Sequence, residues 1–563
     1  MTDPTIPSAE QINACFQAID TLCASRGVIV TRLNNAALGC VGVSLQGTAR
    51  SWELQVDCRK TALRLPCLSL RAPKGLFAHV GYNSTVCVND GQGLSMDLDR
   101  HEEIVAHTVL AGFDLLEKWD AVASSQEFCN ELEGYWATLP DALRGRASFE
   151  PNGVNRLLTG YADCEQKPNN WFFVEQKGTL PPEFRVGKLD PKRVLYVHLE
   201  DFPDPPIYPN KVTPAFLKTV IDKFSKDQRK LKLLGPSNKG QKQMSLLVSC
   251  PRSSGGYSLV GFVFFAKYGT IDEKKAVLPI TVRRHTVSYM RERGGASLNL
   301  MKKHIAVLGC GAVGSVVADC LATAGIGKLT LVDNDVFSED NVFRHVLEPI
   351  YIDIPKPCGL KHQLERKYPG LQVTPVNTTG EDWLKEADIT NLDGIVLAIG
   401  IPTLERIFSR NLKNKGCKFP IVFTWLEPLD IGGHSVLIWG DTEGCLDCIY
   451  RDDDGMPVLY PRTSFLEHGQ HFTRNLTGCA NVFVPFGALQ SRKTGLMATD
   501  HLLSSLDKEP KSSYQYWVGD GATALEKGLK TTHWWKIANQ TTPAEASRRI
   551  FGIPCNHCRG GSV

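Results

Sequence analysis

Three glycines and an acid in the middle of the chain have the spacing of a phosphate-binding turn. Gly309-x-Gly311-x-x-Gly314 connects the apolar stretch HIAVLG to the small-residue stretch AVGSVVADCLATAG, and the next apolar stretch, KLTLVD, ends at Asp333. A strand, a glycine turn, a helix and a second strand within about 30 residues form a βαβ unit. Its backbone N–H groups can approach a phosphate at the helix N-terminus, and its terminal acid can accept hydrogen bonds from ribose hydroxyls. The pattern therefore predicts a nucleotide site.

Charged and polar side chains follow this unit closely. They are Asp335, the pair Asn341-x-x-Arg344, and Lys356. Arginine and lysine beside a nucleotide suit reactions at the phosphate, because they stabilise charge that develops on phosphoryl oxygens, whereas hydride transfer needs no such pair. The set favours phosphate chemistry. A nicotinamide oxidoreductase, which would bind NAD in place of ATP, stays an alternative.

Together, the glycine turn, D-x-D, N-x-x-R and the following lysine resemble the adenylation domain of the ubiquitin-activating-enzyme superfamily. That superfamily includes the ThiF-type sulfur-carrier adenylyltransferases of bacteria. The resemblance covers about 299–563 and implies a Rossmann-like domain that uses ATP and Mg²⁺. It implies that Asp333 binds ribose, that Arg344 and Lys356 bind the ATP phosphates, that Asn341 lies near the triphosphate, and that Asp335 serves magnesium.

The resemblance has one departure and one further implication. The family usually has an aspartate after the fourth strand, where this chain has Gly400 in VLAIGIP. Asp335 is therefore expected to carry more of the magnesium binding. Relatives form homodimers in which an N-terminal arginine reaches the neighbouring subunit's ATP, so a homodimer is expected here, with Arg291 or Arg293 in that role.

Four cysteines of the same region form two C-x-x-C pairs, GCLDC and PCNHC. Two such pairs can supply a closed tetrahedral site of four thiolates for structural Zn²⁺. The predicted ligands are Cys445, Cys448, Cys555 and Cys558. Four packed or exposed thiols without metal, or His557 as a substitute ligand, stay as alternatives.

Another cysteine, Cys479, lies in NLTGCANVFVPFG. In the resembled superfamily, the loop that crosses the adenylate site at this place carries the acyl-accepting cysteine. The resemblance therefore implies that Cys479 is a nucleophile, since a thiolate attacks an acyl adenylate rapidly and keeps the acyl group activated as a thioester. The alternative is a buried structural thiol.

Near the N-terminus, LPCLSLRAPKGLFAHVGYNSTVCVNDG contains His79 and Cys87 and precedes a helix-like stretch at 101–119. The order of an L-P element, a histidine, a cysteine in a loop and a helix resembles the bacterial branch of the ubiquitin-conjugating fold, over about 1–125. It implies that Cys87 carries a thioester. The His-Pro-Asn triplet of eukaryotic relatives is absent, so Asn83 or Asn89 is a guess for the oxyanion-stabilising amide.

The elements that must position these residues indicate an α/β protein of three domains. A helix near 8–25, short strands and the helix at 101–119 predict an α+β domain over 1–125. A strand-rich, Pro/Gly-punctuated section over 126–298 predicts a linker domain. Alternating strands and helices over 299–563 predict a parallel sheet covered by helices.

Bulk properties argue against several partners. The formal charge of +3 is too small to favour nucleic acid or an anionic membrane. No apolar run reaches the roughly 20 residues that span a bilayer. The start lacks the layout of a secretion signal, and the 18 irregularly spaced cysteines suit a reducing compartment, so a cytoplasmic protein is expected.

A conjugating module ahead of an activating module resembles the activating–conjugating fusions of bacterial CBASS anti-phage operons. The resemblance implies that the C-terminal tail of a cGAS-like nucleotidyltransferase is adenylated, captured on Cys479, passed to Cys87 and joined to a lysine of a target protein. Two alternatives remain: a sulfur-carrier adenylyltransferase for which Cys87 is dispensable, and a partner-binding pseudo-enzyme scaffold.

Overall fold

The structure is a computed structural model. It describes residues 6–60, 64–73, 75–89, 93–120, 125–163, 170–176, 180–181, 184, 189–224, 241–267, 270–476 and 482–558. The chain divides into two units, Met1–Thr286 and Val287–Val563. The second unit begins ahead of the expected residue 299 because a helix at 287–294 belongs to it. The division of the first unit near residue 125 stays a prediction.

The first part of unit 1 is an antiparallel sheet with one helix before it and one after it. The strands, in spatial order, are β1 (Val30–Arg32), β2 (Cys40–Gln46), β3 (Ser51–Asp57), β4 (Leu68–Leu70) and β5 (Thr85–Val86). The helices α1 (Ala9–Ser25) and α2 (His101–Asp120) lie where the sequence predicts them. Alternate side chains of β3 are buried, as expected for a strand with one covered face. They share a core with apolar residues of both helices.

The rest of unit 1 is strand-rich, as predicted. Its elements are α3 (Ser125–Ala137), β6 (Leu143–Ala147), β7 (Arg156–Asp163), β8 (Asn170–Val174), β9 (Leu189–His198), α4 (Pro214–Phe224), β10 (Gln241–Pro251), β11 (Tyr257–Lys267), β12 (Thr270–Ile271) and β13 (Leu278–Arg284). The order across the sheet is β10-β9-β7-β8-β6-β13-β11-β12, and β10 also pairs with β11. That pairing closes every strand except β12 into a ring.

Unit 2 alternates strands and helices, which confirms the predicted Rossmann-like α/β fold. Its elements are α5 (Val287–Gly294), β14 (His304–Leu308), α6 (Ala312–Ala324), β15 (Lys328–Val332), α7 (Lys356–Lys367), β16 (Gln372–Val376), α8 (Gly380–Glu386), β17 (Gly394–Leu397), α9 (Pro402–Asn414), β18 (Pro420–Leu426), β19 (Gly432–Trp439), β20 (Arg474–Asn475), β21 (Val482–Phe483), α10 (Ala488–Leu503), β22 (Ser513–Val518), α11 (Ala522–Glu526), α12 (His533–Ala538) and α13 (Pro543–Phe551). Strands β14 to β18 are parallel, whereas β19 and β22 are antiparallel to their neighbours.

The strand order of the main sheet in unit 2 determines where a ligand can bind. The order is β16-β15-β14-β17-β18-β19-β22. After β14 the chain builds outward through β15 and β16, and it then returns to β17 on the other side of β14. In open α/β sheets, ligands bind at the carboxyl ends of the strands, at this switch point. In the part of the chain that is described, no helix is long and apolar enough to cross a membrane.

Candidate functional site

A cavity of about 460 Å³ lies at the switch point of unit 2. The predicted site residues in its lining are Gly311, Asp335, Asn341, Arg344 and Lys356. Residues that the sequence did not single out complete the walls. They include Ala398, Ile399, Pro402, Glu405, Thr424, Trp425, Leu446, Ile449, Tyr450 and Phe486. The cavity thus joins a polar, cationic side to an apolar and aromatic side.

The three glycines of the turn have different positions. Gly309 has φ +86°, and a Cβ there would lie 2.6 Å from the carbonyl oxygen of Ala398. A Cβ on Gly314 would lie 1.8 Å from the carbonyl oxygen of Gly309, so this glycine lets α6 approach the turn. A Cβ on Gly311 would meet nothing within 4 Å, and Gly311 alone of the three lines the cavity. Its backbone is therefore the part of the turn that a phosphate could approach.

Asp333 fixes the turn from the end of β15. One carboxylate oxygen accepts a hydrogen bond from the backbone N–H of Cys310 (2.6 Å), and the other accepts one from the N–H of Asp335 (2.7 Å). Asp333 is not part of the cavity lining. Its predicted contact with ribose stays a prediction.

His345 supports the same turn and was missed by sequence reasoning. Its Nε2 lies 2.7 Å from the carbonyl oxygen of Cys310, and its Nδ1 accepts a hydrogen bond from the N–H of Leu347. Because Nδ1 accepts, Nε2 is the nitrogen that carries the proton. The pKa of His345 is lowered to about 4, mainly by burial and in smaller part by Lys356 and Arg344, although the hydrogen bond to Cys310 acts in the opposite direction. The only sequence signal was its position directly after Arg344.

Lys356 and Asp335 form an ion pair at the cavity wall. The Lys356 Nζ lies 2.7 Å from Asp335 Oδ2, and the backbone N–H of Lys356 donates to the carbonyl oxygen of Asp335. The lysine side chain is 7% exposed and the aspartate side chain is 65% exposed. The lysine at the start of α7 is therefore held in place by the loop that follows β15.

Asn341 and Arg344 lie in the loop between β15 and α7. The side-chain oxygen of Asn341 accepts hydrogen bonds from the backbone N–H and hydroxyl of Ser338, so the amide nitrogen is the part of this side chain that could donate to a ligand. The guanidinium of Arg344 lies 5.5 Å from the centre of the Phe486 ring. Among the residues that the structure describes, no carboxylate forms an ion pair with Arg344.

Gly400 and Glu405 form the cavity wall that follows β17. Gly400, which stands where the resembled family has aspartate, has φ +75° and lines the cavity. Its backbone N–H donates to Glu405 Oε1 (2.9 Å), and Glu405 is only 4% exposed. Burial raises the pKa of Glu405 to about 7, although hydrogen bonds from the backbone of Gly400 and Ile399 act in the opposite direction. An acidic side chain therefore faces this end of the cavity after all, from a position that was not predicted.

The turn that contains the first cysteine pair forms another wall. Leu446, Ile449 and Tyr450 of this turn line the cavity. Asp447, which is fully buried, forms ion pairs with two arginines of α9, Arg406 at 2.7 Å and Arg410 at 2.7 Å. These ion pairs hold the turn against the helix that carries Glu405.

The structure brings the four predicted zinc ligands together. All four sulfur atoms lie within 4.8 Å of one another, and the Sγ–Sγ distances are 3.9 Å for Cys445–Cys448, 3.7 Å for Cys445–Cys555 and 3.6 Å for Cys448–Cys558. Zn–S bonds of about 2.3 Å in a tetrahedron would place sulfurs about 3.8 Å apart, so the donor set fits zinc. His557 is exposed and is not part of the cluster.

Two other expectations for the second unit have different outcomes. Cys479 lies outside the described residues, so its role stays a prediction. The guanidinium of Arg291 is buried and donates to the carbonyl oxygen of Gly325 in the same unit. Arg291 is therefore committed within its own chain, and of the two candidates for reaching a neighbouring subunit only the exposed Arg293 remains.

Cys87 lies in unit 1, directly after β5, and it is exposed. Its backbone N–H donates to the carbonyl oxygen of His79 (2.8 Å), so the two predicted residues are joined through the main chain. The His79 ring lies 5.8 Å from the ring of Trp119, and its Nδ1 lies 3.8 Å from Glu131. This geometry gives His79 a role in holding the Cys87 loop, and catalysis at Cys87 stays a prediction.

The fold and the cavity define an α/β domain with a glycine turn and a cationic side at the switch point of its sheet, an arrangement typical of nucleotide-binding proteins. Residues 284–525 match the model of the ThiF family. The match extends beyond the glycine turn to most of the elements that line the cavity.

Curated relatives are also similar in sequence to part of this chain. The chain is 27% identical over 220 residues to the "ATP-dependent ubiquitin transferase-like protein Cap2" of Pseudomonas aeruginosa, which covers 38% of each chain. It is 30% identical over 156 residues to the molybdopterin-synthase adenylyltransferase of Escherichia coli, which covers 27% of this chain and 60% of that protein. Less than two thirds of either relative is therefore matched.

Among solved structures, the crystal structure of E. coli MccB with ATP aligns with a TM-score of 0.29 and 17% identity, over 42% of this chain and 64% of that chain.

Proposed function

We propose that this chain uses ATP to activate the C-terminal carboxylate of a partner protein as an acyl adenylate. The observation that carries the proposal is the cavity at the switch point of unit 2, which combines the open face of Gly311 with Arg344 and Lys356. A glycine turn that admits phosphate and two cations beside it suit a reaction at a phosphorus atom.

In the proposed first step, a carboxylate oxygen of the partner's tail attacks the α-phosphorus of ATP. The bond from that phosphorus to its bridging oxygen breaks, and pyrophosphate leaves. Arg344 and Lys356 offset the negative charge that develops on the phosphoryl oxygens. Mg²⁺, when bound with ATP, would neutralise further phosphate charge.

The later steps would be a relay between thiols. The Cys479 thiolate displaces AMP and forms a thioester, Cys87 accepts the acyl group by thioester exchange, and a lysine amine of a target protein receives it as an isopeptide. Exposure of the Cys87 side chain supports this role, because an acceptor thiol must reach solvent. Carrying both thiols in one chain would raise the effective concentration of the second.

The partner proposed for this relay is the C-terminal tail of a cGAS-like nucleotidyltransferase, as the resemblance to CBASS fusions implies. Similarity to an "ATP-dependent ubiquitin transferase-like protein" supports the conjugation steps, and the choice of partner rests on the resemblance. Zinc in the four-cysteine cluster, a homodimer and a cytoplasmic location belong to the same proposal.

Exchange of labelled pyrophosphate into ATP tests the first step. We expect exchange that requires a partner with an intact C-terminus, that is lost in Arg344→Ala, and that survives Cys479→Ala, because the thiol acts after adenylation. Exchange that ignores removal of the tail's last residues would contradict the proposal.

A second candidate function is sulfur-carrier activation without conjugation, which the similarity to molybdopterin-synthase adenylyltransferase favours. Both functions share adenylation and differ at Cys87. Conjugation predicts a thiol-sensitive adduct on Cys87 and loss of the isopeptide product in Cys87→Ser. Sulfur-carrier activation predicts no such adduct and full turnover in that variant.

A further inference from the structure

Glu405 is a buried carboxyl group in the wall of the proposed nucleotide cavity. It is 4% exposed and lies in the first turn of α9. Its side chain folds back so that Oε1 accepts the N–H of Gly400 at 2.9 Å. Among the residues that the structure describes, no lysine, arginine or histidine forms an ion pair with it. The side chain is thus held in one orientation by backbone N–H groups, yet no cationic side chain among the described residues compensates its charge.

The other carboxylate in the cavity lining, Asp335, is in the opposite situation. It is largely exposed, and its Oδ2 already binds the Lys356 ammonium at 2.7 Å. A carboxylate that is solvated and paired gains little from a second cation, because its charge is already compensated. The two acids of the cavity are therefore not equivalent.

A buried carboxylate without a counter-ion is costly unless a ligand supplies the missing positive charge. The neighbouring charges do not supply it. Arg406, the next residue, is engaged by Asp447, and Tyr450, which also lines the cavity, offers no positive charge. ATP usually binds to proteins as its Mg²⁺ complex. The Mg²⁺ ion prefers oxygen ligands and is usually held by one or two carboxylates together with the phosphates.

We propose that Glu405 is the carboxylate that binds the Mg²⁺ of Mg–ATP in this cavity, while Asp335 orients Lys356. The proposal rests on the proposed function, since it assumes that ATP occupies the cavity. It replaces the expectation that Asp335 carries the magnesium binding.

The test compares Glu405→Gln with Asp335→Asn as its matched control. Both substitutions remove one negative charge from the same cavity with little change in shape. The glutamine can still accept the N–H of Gly400 through its side-chain oxygen. ATP affinity of the full chain is measured by calorimetry without Mg²⁺, in EDTA, and then over a series of Mg²⁺ concentrations.

For the wild-type chain, we expect ATP affinity to increase with Mg²⁺. In Glu405→Gln, the Mg²⁺ concentration for half of that increase should rise about tenfold or more, the effect of losing one charged ligand, and affinity in EDTA should not fall. In Asp335→Asn, ATP affinity should change by the same factor in EDTA and in Mg²⁺. The Mg²⁺ concentration for half of the increase should stay within about twofold of the wild-type value. If Glu405→Gln keeps the wild-type Mg²⁺ dependence, or if Asp335→Asn shows the larger shift, the assignment is wrong.

Two additional results keep the outcomes distinct. Glu405→Asp retains the charge, so it should stay closer to wild type in Mg²⁺ dependence than Glu405→Gln even if both variants lose stability. The reverse order would overturn the proposal. Absence of ATP binding at every Mg²⁺ concentration would overturn the proposed function together with this inference, whereas ATP binding with unchanged Mg²⁺ dependence in Glu405→Gln would overturn this inference alone.

Discussion

Two glycines of one turn should respond in opposite ways to the same added methyl group. Gly311 and Gly314 both lie at the start of α6, yet a Cβ on Gly311 would enter the cavity, and a Cβ on Gly314 would lie 1.8 Å from the carbonyl oxygen of Gly309. We expect Gly311→Ala to lose nucleotide binding without losing stability, and Gly314→Ala to lose stability.

The magnitudes follow from these contacts. Ordinary van der Waals contact begins at 3.4 Å, so Gly314→Ala must displace backbone atoms by more than 1 Å. Overpacking of this kind costs about 3 kcal/mol, and the better helix propensity of alanine returns about 1 kcal/mol. The net loss of about 2 kcal/mol should lower the melting temperature of the second unit by about 4–8 °C.

Gly311 has φ −78°, which alanine adopts readily. The loss of a good helix cap and the reduced freedom of the unfolded chain are each worth up to about 1 kcal/mol and oppose each other. Stability should therefore change little, whereas ATP affinity should fall about tenfold or more, because the methyl group occupies the space where a phosphate meets the backbone N–H groups.

Differential scanning calorimetry gives the melting temperatures, and isothermal calorimetry gives the ATP affinity. Equal melting temperatures for Gly314→Ala and wild type would refute the packing argument. A stability loss in Gly311→Ala as large as that in Gly314→Ala would refute the assignment of Gly311 to the cavity.

Further predictions concern the supports of the cavity. Asp447→Asn should lower the free energy of unfolding by about 2 kcal/mol, because a buried ion pair with partly exposed partners is partly lost. It should also weaken ATP binding in calorimetry. Unchanged ATP binding would show that the ion pairs of Asp447 do not support the nucleotide cavity. Purified protein should contain zinc by mass spectrometry of metals, and both a chelator and Cys558→Ser should lower its melting temperature; indifference to both would exclude a structural metal. Burial lowers the pKa values of His345 and His501 to about 4. The unfolded chain therefore binds more protons than the folded chain between about pH 4 and 6.5. As the pH is lowered through that window, the free energy of unfolding should decrease by up to about 1.4 kcal/mol per pH unit for each histidine. Urea unfolding at pH 5 and pH 7 measures this loss, and His501→Gln should reduce it; an equal loss in that variant would contradict the assignment to His501.

Local pattern was enough to predict the polar side of the cavity. The glycine turn, Asp335, Asn341, Arg344 and Lys356 lie within one short segment, so their spacing carries the information. The four cysteines were equally predictable, because each pair is a local motif even though the pairs are far apart in sequence. The Rossmann-like class of the second unit follows from the regular alternation of strands and helices.

The rest of the cavity lining could not be predicted, because tertiary folding assembles it. Glu405 and Tyr450 belong to segments with no motif of their own, and only the order of β17 and β18 beside β14 brings them to the glycine turn. The closure of the ring of strands in unit 1 depends on a pairing between β10 and β11 that the periodicity of apolar residues does not encode. The role predicted for Cys87 came from the resemblance, because the sequence pattern around it does not encode the exposure of its loop.

The closed ring of strands in unit 1 limits how a peptide could be recruited there. An open sheet offers unpaired main-chain donors and acceptors at its borders, and an extended peptide can add to it as one more strand. A ring in which β10 pairs with both β9 and β11 has already used those groups at its seam. Because β12 stands outside the ring, this limit applies to the ring itself: a flexible tail that binds the ring would be recognised by side chains on its outer surface, so its sequence should matter more than its ability to extend.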